Sequence, residues 1–268
     1  MSNNKHPSRV AFILIDGLRP DAISEVVCPN LYQLMQRSAY SLKARSVMPS
    51  ITLPCHMSIF HSVRPERHGV LTNTWQPMAR PIPGLVEVAA NKGKLTAFFI
   101  NWEPLRDLAR PGSLTNLFFL KNNRDFENGD ALIAREAAYY ILNDQPDFAF
   151  VYFGTLDELA HDFGWMSEKY MQQLSRVDEA LRELIESLPN DYTLILQSDH
   201  GGFERNHGSD RDEDMLIPWM VSGKGIRRNY RIARDLSLLD TAPTIACILG
   251  LDAPSAWEGD CIREIFEQ

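Results

Sequence analysis

The sequence predicts an α/β fold, a three-layer sandwich with a largely parallel central sheet and helices on both faces. Three observations lead there. Five short apolar runs are continuous rather than alternating, as expected of strands buried on both sides. Helical patterns fall between those runs, and strands alternating with helices imply parallel crossovers. Carboxylates and imidazoles crowd directly behind three of the runs, where such sheets bind ligands.

The predicted strands are VAFILI (10–15), TAFFI (96–100), FAFVYF (148–153), YTLILQ (192–197) and PWMVSG (218–223). The clearest helix is 167–188, where Tyr170, Leu174, Val177, Leu181, Leu184 and Leu188 recur every three or four positions. Ser167 can cap its start and Pro189-Asn190 ends it. Further helices are predicted near 29–37, 54–62, 84–92, 130–143 and 240–249. No repeat or low-complexity linker occurs, so residues 1–268 are expected to form one domain. Segment 102–129, rich in Pro, Gly and Asn, is expected to be a surface excursion able to overhang a site.

The chain has 268 residues, 44% hydrophobic and 23% charged, an ordinary balance for a globular protein. Its 27 basic and 35 acidic residues give a net charge of -8, which argues against a nucleic-acid polymer held by general charge. An anionic substrate would need local positive charge, such as bound metal. The polar start MSNNKHPSRV, with His6, precedes only five apolar residues before Asp16, so no secretory leader is predicted. No run reaches the roughly 18 apolar residues that span a bilayer. Cys28, Cys55, Cys247 and Cys261 are scattered without a CxxC pair. Reduced thiols and a cytoplasmic location are expected.

The first run ends in Asp16-Gly17, the third runs into Asp157 and His161, and the fourth into Ser198-Asp199-His200. Asp157 and His161 are four apart, so one helical turn puts both on the same face as a chelating pair. Imidazole and carboxylate without thiolate suit zinc, manganese or iron(II). The donors exceed what one four-coordinate ion needs, which implies two metals. If a further nitrogen ligand lies downstream, His207 is the candidate, and Gly201, Gly202 and Gly208 would let its loop turn back. The bland alternative is an exposed loop histidine. Thr52 precedes Leu53-Pro54 and is expected at a helix N-terminus, where backbone N–H groups favour an anion. A hydroxyl there can act as a metal-activated nucleophile. From that stretch alone, a capping threonine is the simpler reading.

Five motifs together, ILIDGLRPD (13–21), PSITLPCH (49–56), ERHGVLTN (66–73), LDELAH (156–161) and SDHGG…HG (198–208), resemble the alkaline phosphatase superfamily. The type I phosphodiesterase/nucleotide pyrophosphatase branch is most similar. The resemblance implies a two-zinc hydrolase with a covalent threonine intermediate. It assigns one metal to Asp157, His161 and His207, and the other to Asp16, Asp199 and His200 with the Thr52 oxygen. It also implies that Asn73 binds a phosphoryl oxygen; otherwise Asn73 is a turn residue. Two departures stand out. Cys55 replaces an asparagine often found before His56, and only six residues separate His200 from His207, a spacing more like compact bacterial members and metal-dependent phosphomutases.

The expected chemistry is hydrolysis of small-molecule phosphate esters, phosphodiesters or nucleotide pyrophosphates, with two divalent ions, zinc or alternatively manganese. A phosphomonoesterase, a non-catalytic metal-binding protein and an interaction scaffold with a working acidic surface are the competing readings. Thr52 in place of an oxidisable Cys or Ser disfavours a sulfatase, and the 104 residues between Thr52 and Asp157 leave no room for a mutase cap. Glu158, Asp162 and Ser198 are candidates to hold the ligand imidazoles. His56, His61 and His68 read as structural, with His56 also able to orient the nucleophile loop. Arg19, Arg64, Arg67, Arg106 and Arg110 could meet a phosphate, with a surface role as default. Trp75 and Trp102 could stack on a leaving group but more naturally fill the core.

Overall fold

The computed structural model describes residues 9–267; His6 lies outside them. Eight strands form one sheet: β1 (Arg9–Ile15), β2 (Ala39–Arg45), β3 (Thr96–Ile100), β4 (Asn116–Phe119), β5 (Phe148–Phe153), β6 (Tyr192–Gln197), β7 (Leu216–Ser222) and β8 (Tyr230–Arg231). Their order is β4-β3-β5-β1-β6-β7-β2-β8. Only β7 runs against the others, pairing antiparallel with β6 and β2. The helices are α1 (Pro29–Gln36), α2 (Thr52–His61), α3 (Pro65–His68), α4 (Leu85–Ala90), α5 (Gly129–Asp144), α6 (Thr155–Phe163), α7 (Glu168–Ser187), α8 (Asp212–Met215) and α9 (Thr241–Leu249).

The three layers follow from the period of two along each strand. In β1, Val10, Phe12 and Leu14 enter one core with residues of α2, α4 and α9. Ala11, Ile13 and Ile15 enter the other with residues of α1, α5, α6 and α7. This explains why the central strands read as continuous apolar runs. Ser167 caps α7 by accepting from Tyr170 N, as its position predicts. None of the helices is long and apolar enough to cross a membrane, among the described residues.

Three strands escape the continuous-apolar criterion. β2 reads AYSLKAR and alternates buried with more exposed positions. β4 and β8 are short and lie at the two edges of the sheet. β4 comes from segment 102–129, which thus extends the sheet beside β3 and also contributes a 3₁₀ turn at Glu103–Leu108.

Central β1 lies between β5 and β6, with Ile15 beside Phe153 and Leu14 beside both Tyr152 and Gln197. The residues after Ile15, Phe153 and Gln197 therefore emerge side by side at one sheet edge. Helix α2 is seated over this edge by an aromatic cluster. Phe150 of β5 has ring centroids 5.0 Å from Phe60 of α2, 5.0 Å from Phe98 and 5.3 Å from Phe12. Such contacts add to the burial energy of rings that are fully enclosed here. Phe150→Ala is expected to destabilise the protein by about 3–5 kcal/mol in denaturant unfolding. A loss below about 1 kcal/mol would show that the cluster does not hold the layers together.

Candidate metal centre and active site

Asp16 follows β1 and is buried. Its Oδ2 accepts a short hydrogen bond from the Tyr152 hydroxyl. Its Oδ1 has no hydrogen-bond partner among the described residues and lies 3.3 Å from His200 Nε2. Gly17 has φ of 67°, and a Cβ there would meet Asp157 Oδ1 at 3.0 Å and Asp157 Cα at 3.2 Å. Glycine thus lets β1 approach α6 closely.

Asp157 and His161 lie one turn apart on α6, with His161 Nε2 3.4 Å from Asp157 Oδ2. His207 Nε2 lies 3.8 Å from Asp157 Oδ1. The six residues after His200 bring His207 back through a tight turn, in which Phe203 and Asn206 exchange backbone hydrogen bonds. Trp165 braces the turn: its backbone N donates to Glu204 O at 2.7 Å, and a Cβ on Gly202 would sit 2.3 Å from its ring. The Trp165 ring also stands edge-on to His161 and His207.

Asp199 and His200 follow β6 and are fully buried. Asp199 Oδ2 has no hydrogen-bond partner among the described residues, and lies 3.4 Å from His200 Nε2 and 3.5 Å from His56 Nδ1. Thr52, the first residue of α2, places Oγ1 3.2 Å from His200 Nε2. Asn73 stands beside it, accepting from Leu53 N at 3.0 Å. That bond narrows one expectation. Of the first-turn groups after Thr52, Leu53 N–H is taken by Asn73, Pro54 has none, and Cys55 N–H donates to Ile51 O. Among the described residues the N–H of Thr52 itself has no acceptor, so an anion at this helix end would meet that group.

The structure therefore brings Asp16, Thr52, Asn73, Asp157, His161, Asp199, His200 and His207 to one edge. Donor atoms of five of them form two groups with all members within 4.8 Å: Asp157, His161 and His207; and Asp16, Asp157 and His200. Asp199 is in neither group, although its Oδ2 lies 3.4 Å from His200 Nε2. Asp157 stands in both. Orphaned buried oxygens on Asp16, Asp157 and Asp199 are what a cation would satisfy, and an all-oxygen-and-imidazole donor set suits a divalent ion. The residues present fit a divalent ion.

The imidazoles are held in one way. Nδ1 of His161 donates to Arg205 O, that of His200 to Gly201 O and that of His207 to Ser50 O, each at 2.8 Å. A carbonyl only accepts, so Nδ1 of each ring carries a hydrogen, and Nε2 is the ring atom turned toward the carboxylates, where an ion would sit. This corrects the side-chain candidates for that role. Glu158 and Asp162 face away and pair with Arg124, with Asn123 also donating to Glu158. Ser198 Oγ accepts from Leu18 N and donates to His200 O, shaping the backbone instead of a ring. Backbone carbonyls carry no residue signature, which is why sequence reading missed them. It also missed Trp165 and Tyr152.

The other histidines among the described residues, His56, His61 and His68, are structural. His56 is fully buried, donates Nδ1 to Thr52 O at 2.8 Å and is held neutral by burial, its pKa near 4. His68 bonds Ser58, and His61 accompanies Met57 O. Arg19 pairs with Asp21 and donates to Gly202 O, Arg67 pairs with Glu258, and Arg106 with Glu103. Trp102 packs on the core, whereas Trp75 is exposed and lines a cavity with Met57, His61 and Arg110.

The electrostatics reflect crowded charge. Burial drives the Asp16 carboxyl well above its ordinary range, with Asp199 and Asp157 adding repulsion. Burial, then Asp157, raises Asp199 to about 8. Burial, then His207, pushes His200 well down. Asp157 moves the other way: burial acts to raise it, but His161, His207 and His200 together lower it. Its partner His161 rises to about 9, chiefly through Asp157.

All of these groups lie between Asp16 and His207. A model of the family described as type I phosphodiesterase / nucleotide pyrophosphatase matches residues 10–109 and 90–216, the span that holds them. The chain belongs to that family. A pyrophosphatase/phosphodiesterase of Schizosaccharomyces pombe is 28% identical over 224 residues, covering 74% of this chain and 45% of the relative. The catalytic subunit of mouse GPI ethanolamine phosphate transferase 3 is 27% identical over 63% of this chain and 16% of the relative. The chain thus spans less than half the length of either. Murine ectonucleotide pyrophosphatase/phosphodiesterase 5, an inactive variant in complex with AMP, superposes with a TM-score of 0.82 at 16% identity over 97% of this chain and 100% of that one. A Bacteroides thetaiotaomicron protein described as a putative sulfatase gives 0.81 at 13% identity, over 98% of this chain and 76% of that one. At these identities the two structures show a shared alkaline phosphatase-like fold.

The shifts fix how the metal-free protein responds to pH. Asp199, raised to about 8 from 3.8, contributes stability present at low pH and lost as pH rises through about 8. His161, raised to about 9 from 6.5, contributes stability present below 6.5 and lost through about 9. The lowered His200 acts oppositely, but its contribution is complete above 6.5. The melting temperature of chelator-treated protein is therefore expected to fall between pH 6.5 and 9, with added zinc restoring most at the upper end. A flat or rising metal-free profile would contradict the assignment.

Proposed function

We propose that this chain is a divalent-metal-dependent phosphoric ester hydrolase working through a phospho-threonine at Thr52, on phosphodiesters or nucleotide pyrophosphates. The observation that carries the reading is Thr52 Oγ1, 3.2 Å from His200 Nε2, at the mouth of a buried set of orphaned carboxylate oxygens. One ion, most simply zinc, would be held by Asp157, His161 and His207. The other would be held by Asp16, Asp199 and His200 with the Thr52 hydroxyl. Bound there, two dications supply about +4 of local charge and Lewis acidity, lowering the hydroxyl pKa and neutralising phosphate on a protein of net charge -8.

The protein supplies the geometry. Thr52, its proton lost to solvent, forms the Oγ–phosphorus bond as the ester oxygen departs and takes up a proton. Water oxygen then replaces the threonine oxygen on phosphorus, and Thr52 regains its proton. Because the Asn73 carbonyl is tied to Leu53 N, its Nδ2 is left to donate to a phosphoryl oxygen. His56, bonded to Thr52 O one turn away, holds the first turn of α2 in place. The S. pombe relative's description and the AMP complex of the murine protein, whose inactivity accompanies a threonine-to-alanine change, support this reading.

Thr52→Ala is expected to lower turnover of an aryl phosphodiester by about 10³-fold or more while two zinc ions remain bound by metal analysis. Activity within a few-fold of the parent would remove Thr52 as the nucleophile, whereas a parent that binds zinc but cleaves no ester would favour a non-catalytic metal protein. In a panel of mono- and diesters, nucleoside diphosphates and dinucleotides, a diester or pyrophosphate is expected to be cleaved fastest. Faster monoester cleavage throughout would move the chain to a phosphomonoesterase.

A further inference from the structure

We infer that Asp130 is a positioning residue for Asp157, and through it for the paired ions of the proposed centre, on which reading the inference rests. Asp130 opens α5 and is buried, 4% exposed. Its Oδ1 accepts from Asn101 Nδ2 at 2.8 Å and from Gly154 N at 3.1 Å. Its Oδ2 accepts from the Thr155 hydroxyl at 2.5 Å, and Gln173 of α7 donates to that hydroxyl at 2.7 Å. The end of β3, the start of α5 and the middle of α7 thus converge on Gly154 and Thr155, where β5 becomes α6. Asp157 lies two residues further on.

The opposite wall is equally close. Asp157 lies against Gly17, where a Cβ would sit 3.0 Å from Asp157 Oδ1 and 3.1 Å from its Cβ, a tight approach. A Cβ on Gly154 would come within 2.8 Å of both Tyr152 and Asn101. The first turn of α6 is therefore held between Asp130 and the end of β1. Because Asp157 is assigned to one ion and its carboxylate also lies within 4.8 Å of the donor atoms of Asp16 and His200, which are assigned to the other, a small shift of this turn is felt at both sites. Asparagine at 130 would keep the volume but offer one acceptor oxygen for three donors.

Asp178 provides a matched control. It is 2% exposed and anchors α1 in the same manner, accepting from Asn30 N, Asn30 Nδ2 and Leu31 N, but α1 carries no site residue. The experiment measures zinc affinity by competition with a chromophoric chelator, and the melting temperature of the metal-free protein, for the parent, Asp130→Asn, Thr155→Val and Asp178→Asn. Asp130→Asn and Thr155→Val are expected to raise the zinc dissociation constant about 10- to 100-fold. Asp178→Asn is expected to lower the metal-free melting temperature yet leave zinc affinity within about twofold. If Asp130→Asn and Thr155→Val shift only the melting temperature, as Asp178→Asn does, the positioning role is overturned and the metal reading stands. A parent protein that takes up no zinc would overturn both.

Discussion

Repulsion among Asp16, Asp157 and Asp199, in a space almost closed to water, is the constraint on which this structure turns. Carboxylates placed this close cannot all ionise in a low-dielectric pocket without a compensating charge. The raised Asp16 and Asp199 and the lowered Asp157 show the pocket dividing that burden unequally. Most of the surrounding architecture can be understood as holding these groups where they would not rest by themselves. Central β1 fixes Asp16 between β5 and β6, Gly17 admits Asp157, and the aromatic cluster around Phe150 presses α2 and its Thr52 onto the same edge.

Much of this was readable in the chain. The buried strands advertised themselves because both faces must be apolar, and the donors advertised themselves because each follows such a run directly. β2 was hidden because an alternating strand near a sheet edge looks like ordinary mixed sequence. The same limit applied to the site. Side-chain donors can be counted in a sequence, whereas the groups that aim them are main-chain oxygens of Ser50, Gly201 and Arg205, which any residue could provide. Glu158 and Asp162 misled for the complementary reason. Their spacing from the ligands is suggestive, but a helix turns them outward to Arg124.

The departures from the family pattern acquire physical meaning in the fold. Cys55 is buried with its thiol against Ser46 Oγ, and Ser46 in turn bonds Asp199 O. The position thus belongs to the packing behind Asp199. The short stretch from His200 to His207 succeeds because Phe203 and Asn206 close a turn and Trp165 fills the space beneath Gly202. No long insertion is needed to return the imidazole.

Delegating the aim of three imidazoles to carbonyl oxygens has a consequence for how such a centre can change. A side chain that orients a ring is lost by one substitution, but a carbonyl persists whatever residue bears it. The loops bearing Ser50, Gly201 and Arg205 can therefore vary their outward chemistry, and with it the molecules they admit, without re-aiming the rings. Only an alteration in the path of the chain itself, such as an insertion or a proline that redirects the loop, would do that.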